Sequence, residues 1–272
     1  MRQKKSRYLI LVIIVMLFIS CSNVKKDKEA EYSLLKGVNY SQQGEYGKAM
    51  PEYFKSYDIN PKNIILLKEI GYNYYQFGDY KNAEKYWQEA FALNSKDEEL
   101  IKNLATLYYE EKEYSKSLEV LENAYNKKDA YYQQLNGMIC YKKGKLQESY
   151  YFLREIPLEK YDEEVTLTYI ELLERLEKKE ELLSFSKNVY PYLKDSKNYV
   201  IKYSQILSKI YNKNVESEKV LMDYILKNGS DDEILLELSN LYFKMGENEK
   251  GEDILKLISD NQEIFEIRDL KK

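Results

Sequence analysis

The chain contains no histidine, only two cysteines (Cys21 and Cys140), and few residues of the kind that make tight turns. Without histidine the commonest metal ligand and the usual base of hydrolytic triads are both missing. Two cysteines cannot build a multi-bridge disulfide framework or a four-thiolate zinc site. Glycine (10) and proline (4) supply 14 of 272 residues, about 5%, against about 12% in average proteins. The many turns of a sandwich or barrel are therefore hard to supply, and long helices are expected. Arginine is scarce as well: beyond residue 20 only Arg154, Arg175 and Arg268 remain, so bidentate reading of guanine edges or phosphates is hard to build. What is present is enough apolar residue, 44%, to form a core. This composition reads as a helical binding protein and not as an enzyme, with no cofactor and no metal.

The N-terminus is organised differently from the rest. Arg2, Lys4, Lys5 and Arg7 come with no acid, and Tyr8 to Ile19 follow as 12 apolar residues in a row. That is the layout of a secretory signal. As a helix the run reaches about 18 Å, short of the roughly 30 Å hydrocarbon core of a bilayer. It closes on Leu17-Phe18-Ile19-Ser20-Cys21, which resembles the lipobox of bacterial lipoproteins, with Phe18 where the family prefers leucine. The resemblance implies cleavage after residue 20 and acylation (palmitate) of Cys21 as the first residue of a mature, membrane-tethered chain. Residues 21–30 are short, polar and charged and suit a flexible spacer. Ser22 in place of aspartate leans toward the outer membrane or cell surface and away from the inner membrane, within a cell-envelope localisation. Losing residues 1–20 leaves 38 basic against 46 acidic residues, a net charge of −8, and an acidic body is a poor phosphate binder. Nucleic acid is not an expected partner.

The body repeats. Gly37, Tyr40, Gly44, Tyr46, Ala49 and Pro61 form one copy; Gly71, Tyr74, Gly78, Tyr80, Ala83, Trp87 and Ala90 form the next, 34 residues on where they correspond. Leu104, Ala105, Tyr108, Tyr114, Ser117 and Ala124 mark a third copy, and Gly137, Gly144, Leu146 and Ser149 a fourth with Cys140 in the tyrosine slot. These residues resemble the tetratricopeptide repeat. Residues 31–158 read as well-formed repeats and 159–272 as degenerate ones, where Leu207-Ser208-x-x-Tyr211 and Leu238-Ser239-x-x-Tyr242 keep the core spacing. Asp162 to Leu176 and Glu181 to Tyr192 read as a further pair, and Gln262 to Leu270 as a short capping helix. The expected fold is all-α: about seven helix-turn-helix repeats which, by the resemblance, stack as a right-handed solenoid with a concave groove. Leu67, Ile70, Gly71 and Tyr74 recur at i, i+3, i+4 and i+7, one helical stripe, and Gly78 suits the turn that follows. Pro51, near the start of a second helix, is expected to be a local peculiarity without function. Cys140 reads as a buried, inert thiol.

In tetratricopeptide proteins set positions of each first helix line the groove. Carried over, they are Lys68, Tyr72 and Tyr75 in the second repeat, Lys102 and Tyr109 in the third, and Gln134 and Tyr141 in the fourth. Tyrosine gives rigid contact area with a polar tip, which suits a peptide. Lys68 and Asn103 match the clamp that some family members close on a partner's C-terminal carboxylates, but Tyr72, Tyr131 and Leu135 fill its other places, so that clamp is not expected. The resemblance implies a membrane-anchored scaffold mediating protein–protein interaction in the envelope, as in outer-membrane, secretion or pilus assembly. The alternative is an accessory of cell-wall metabolism binding glycan or a wall enzyme through aromatic stacking.

Overall fold

The computed structural model describes residues 24–269, with side chains as far as residue 258. The signal segment, Cys21 and the first spacer residues lie outside the described residues. The chain divides into two compact units, Met1–Lys127 and Lys128–Lys272.

In the first unit, α1 (residues 24–42) pairs with α2 (Tyr46–Ile59), α3 (Ile64–Gln76) with α4 (Tyr80–Leu93), and α5 (Glu98–Glu110) with α6 (Tyr114–Leu121). α1 begins inside the segment expected to be a polar spacer; residues 24–29 of it are exposed, and Ala30 is the first buried side chain. In the second unit the pairs are α7 (Ala130–Lys142) with α8 (Leu146–Leu153), α9 (Glu163–Arg175) with α10 (Lys179–Leu193), α11 (Lys197–Gln205) with α12 (Asn214–Asn228), and α13 (Asp232–Met245) with α14 (Asn248–Asp269). The described residues thus form seven consecutive helix pairs with no strand, the tandem arrangement of a tetratricopeptide-like solenoid. The capping helix expected over residues 262–270 is not a separate element: its described residues continue α14.

Most pairs cross at a small-residue contact. The eighth residue of the first helix meets the fourth of the second: Gly71 with Ala83, Ala105 with Ser117, Gly137 with Ser149, Ser239 with Gly251. Small side chains let the backbones approach, and serine hydroxyls fill the gap by donating across it, Ser117 to the Ala105 carbonyl at 2.7 Å and Ser149 to that of Gly137 at 2.8 Å. In the fifth pair Ile170 and Leu182, both buried, stand at these places, which is why this repeat lacks the motif. A β-carbon on Gly71 would lie 2.4 Å from Trp87 Cδ1, and one on Gly37 2.5 Å from the Tyr53 ring. Those glycines are the space their large partners occupy.

A second regularity is the cap. Asn63, Asp79, Asp97, Asp129, Asp162, Ser196 and Asp231 each accept a bond from a backbone N–H in the first turn of the helix they open, supplying an acceptor that the helix itself cannot. The first-helix caps from Asn63 to Asp231 are spaced by 34, 32, 33, 34 and 35 residues. The 32-residue step marks the division between units. α6 has 8 residues against 14 in α2 and α4, so Ala124, expected on the packing face of α6, falls in the turn beyond it. The boundary between the two compact units, Lys127 to Lys128, lies just beyond it.

The 35-residue step corrects the register of the sixth repeat. Its crossing residue is Ser204, whose hydroxyl lies 2.7 Å from that of Ser217, and not Ser208. One extra residue between crossing and turn is taken up as a π-helical stretch, Ile206–Ile210, the usual form of a single-residue insertion in a helix. Pro51 is the sixth residue of α2, exposed, at the cost of one helical hydrogen bond.

Between the helices of a pair the chain makes a left-handed residue. It is Gly78 at φ +73° in the second repeat but Lys112 at +62° in the third. A side chain in that region costs about 1–2 kcal/mol, partly offset by the about 0.5–1 kcal/mol of extra chain entropy glycine loses on folding. Lys112→Gly is therefore expected to stabilise the protein by about 0.5–1 kcal/mol in chemical denaturation. A destabilised variant would mean that the lysine side chain contributes a contact that outweighs the strain.

Candidate functional site

The face formed by the first helices of the unit Met1–Lys127 carries five of the expected groove residues: Lys68, Tyr72 and Tyr75 on α3, Lys102 and Tyr109 on α5. Tyr72 is 41% exposed; the other four are half-buried. Gln134 and Tyr141 hold the corresponding positions on α7 in the other unit. Cys21 lies outside the described residues.

Several of these side chains are engaged within their own unit, which sequence position did not reveal. The Lys68 ammonium lies 3.2 Å from the Asp97 carboxylate and also pairs with Glu99. Burial works against its charge, but hydrogen bonds to Glu99 and Asp97 outweigh it and hold the ammonium above the usual lysine range. The Tyr75 hydroxyl donates to Glu110 at 2.8 Å. In the second unit Gln134 donates to Asp162 at 2.9 Å, and the Arg175 guanidinium donates to the Tyr141 hydroxyl at 3.4 Å with its carbon 5.6 Å from the ring centroid. Asp97 and Asp162 are also the caps of α5 and α9. One carboxylate thus terminates a helix and clasps the previous repeat. Cap spacing is the sequence signal that would have found these clasps.

The exposed part of the first unit's face is a cavity of about 580 Å³ bounded by α1, α3, α5 and the turn before α2, with Ser41, Gln42, Tyr46, Lys68, Glu69, Tyr72 and Glu99 on its walls. Tyr46 and Tyr72 meet edge to face, ring centroids 6.4 Å apart, and Phe77 stands edge-on to Tyr46 at 6.2 Å. Beneath the wall lies a buried polar network. The Tyr53 hydroxyl donates to Glu69 Oε2 at 2.9 Å, and Asn73 Nδ2 donates to the Ser41 hydroxyl at 3.2 Å and to the Glu69 carbonyl at 3.0 Å. Burial raises the Tyr53 hydroxyl well above its ordinary value, and the Glu69 charge adds to this. Glu69, Tyr46 and Ser41 were missed by sequence reasoning because they lie off the expected stripe or on another repeat.

Glu69 itself is raised above the usual carboxylate range. Burial is the main cause; the Tyr53 hydroxyl opposes it and the Glu99 charge adds to it. A carboxyl raised on folding favours the folded state at low pH, and that contribution is lost as pH rises through its folded value. Glu69→Gln, which keeps an acceptor for Tyr53, is expected to unfold at a higher temperature than the parent at neutral pH. The difference should shrink as pH falls through the Glu69 titration. An equal destabilisation at both pH values would contradict this.

Cys140 is buried in α7 with its Sγ 3.9 Å from Glu148. Burial pushes the thiol up, and the neighbouring carboxylate adds to it, as expected of an inert packing residue. Among the described residues no helix is long and apolar enough to cross a membrane.

No known family's sequence profile matches the chain, and no curated protein matches it in sequence. Its fold is similar to solved structures. A tetratricopeptide repeat protein from Parabacteroides merdae aligns over 86% of this chain and 93% of its own length at 14% identity, with a TM-score of 0.61. A chain of the APC/C hetero-tetramer Cut9–Hcn1 aligns over 83% of this chain and 45% of its own length at 13% identity, with a TM-score of 0.55. At these identities the likeness is one of fold.

Proposed function

We propose that this chain is a lipid-anchored scaffold of the bacterial cell envelope that holds another protein against the first-helix face of its N-terminal unit and performs no chemistry of its own. The observation that carries the reading is the cavity between α1, α3 and α5, where aromatic rings stand partly exposed beside fixed polar groups. Such surfaces bind peptides because tyrosine brings contact area at little entropic cost, while fixed polar groups set register. The tether is supported by the signal-like segment ending at Cys21, and an outer-membrane or surface location by Ser22 behind it. Assembly of envelope machinery is the role this combination suits, and function in such repeats resides in the surface and not in the fold.

The test is capture. Full-length protein recovered from crosslinked cells should bring down specific envelope proteins, and Tyr72→Ala combined with Tyr75→Ala should lower that yield by about tenfold, the loss of two modest aromatic contacts. Undiminished capture by a folded double variant would remove the site from this face.

A further inference from the structure

The charges around the cavity say what kind of side chain it takes. Lys68, the cation at its wall, is already matched by Asp97 and Glu99; with Glu69, three carboxylates face one ammonium, an excess of two negative charges. Glu69 gives one oxygen to the Tyr53 hydroxyl, and no hydrogen bond from the described residues reaches the other, Oε1. On the same cavity wall, Tyr46 and Tyr72 form a corner, edge to face at 71° with ring centroids 6.4 Å apart. An aromatic corner beside a partly desolvated carboxylate attracts a cation in two ways, through ring quadrupoles and through charge. It repels the carboxylates that Lys68, read alone, would suggest. We infer that this cavity receives a lysine or arginine side chain of the protein partner, with Glu69 as its counter-ion and Tyr46 and Tyr72 as its walls. The inference rests on the protein-binding reading and supplies its chemistry.

The probes are three acetylated, amidated tripeptides, glycine-X-glycine, with X arginine, lysine or citrulline, added to the full chain carrying ring-labelled tyrosine for NMR. Citrulline keeps the shape of arginine and removes its charge. The arginine and lysine peptides should give saturable shifts at Tyr46 and Tyr72, with citrulline binding at least about fivefold more weakly. Glu69→Gln, whose fold is checked by its melting curve, should weaken the arginine peptide by a similar factor, whereas Tyr72→Phe should retain it. Equal binding of citrulline, no saturable shift at these two rings, or an unchanged Glu69→Gln protein would overturn the inference. The scaffold reading fails separately. Capture of a partner through Tyr72 and Tyr75 that is indifferent to Glu69→Gln leaves the scaffold standing and removes the basic side chain, while arginine binding without any captured protein does the reverse.

Discussion

Replacing Gly71 with alanine is expected to destabilise the N-terminal unit by about 1–3 kcal/mol, the usual penalty for overfilling a packed core, although alanine is the better helix former by about 1 kcal/mol. The reason is geometric. The new β-carbon would sit 2.4 Å from Cδ1 and 2.5 Å from Nε1 of Trp87, inside van der Waals contact. The indole cannot yield easily, because it is 2% exposed, packs against Tyr75 at 5.6 Å and donates its N–H to the Lys68 carbonyl at 3.1 Å. Trp87→Ala alone should cost about 3–5 kcal/mol through the cavity it leaves. In that background Gly71→Ala should become neutral or stabilising, so the two changes couple by about 2 kcal/mol or more. Circular dichroism melts of the four proteins measure this. Additive effects would show that helices α3 and α4 do not meet through this pair.

Cys21→Ala is expected to abolish labelling by a palmitate analogue entirely, while Cys140→Ala leaves it intact. The effect is all-or-none because the chain has only two cysteines, and Cys140 is buried, with its thiol raised further from reactivity by burial. Several acyl chains, each contributing about 0.8 kcal/mol per buried methylene, hold a chain on a bilayer that an acidic surface would otherwise leave. Label retained in the Cys21 variant, or absent from the parent protein, would contradict the tether.

The helix pairs were legible because small residues recur at the crossings: Gly37, Gly71 and Gly137 leave the space that Tyr53, Trp87 and Leu153 fill. The fifth pair was legible from its apolar periodicity although Ile170 and Leu182 replace the motif. Register failed where length changed. At Ser204 an extra residue is absorbed in a π turn, and Leu207-Ser208 mimics the motif four residues late; after α6 two residues are missing, so Ala124 leaves the helix. The spacing of capping side chains, from Asn63 to Asp231, follows both changes, since a cap is tied to the helix start and not to its interior. Of the candidate site, Tyr72 was found as an exposed ring from its helical position. What that stripe cannot show is engagement across repeats: Lys68 looks like an anion binder until Asp97 and Glu99 are placed beside it. Glu69 looks like a packing-side residue until the space above it is seen.

The most direct test of the protein-binding face is site-specific photocrosslinking in living cells, with a benzophenone side chain at Tyr72 on α3 or at the exposed second-helix position Lys85 on α4. Adducts to discrete envelope proteins at position 72, with none of the same species at position 85, are the expected result. Adducts at 85 and none at 72 would place the partner on the opposite side of the repeat and contradict a binding face built from first helices.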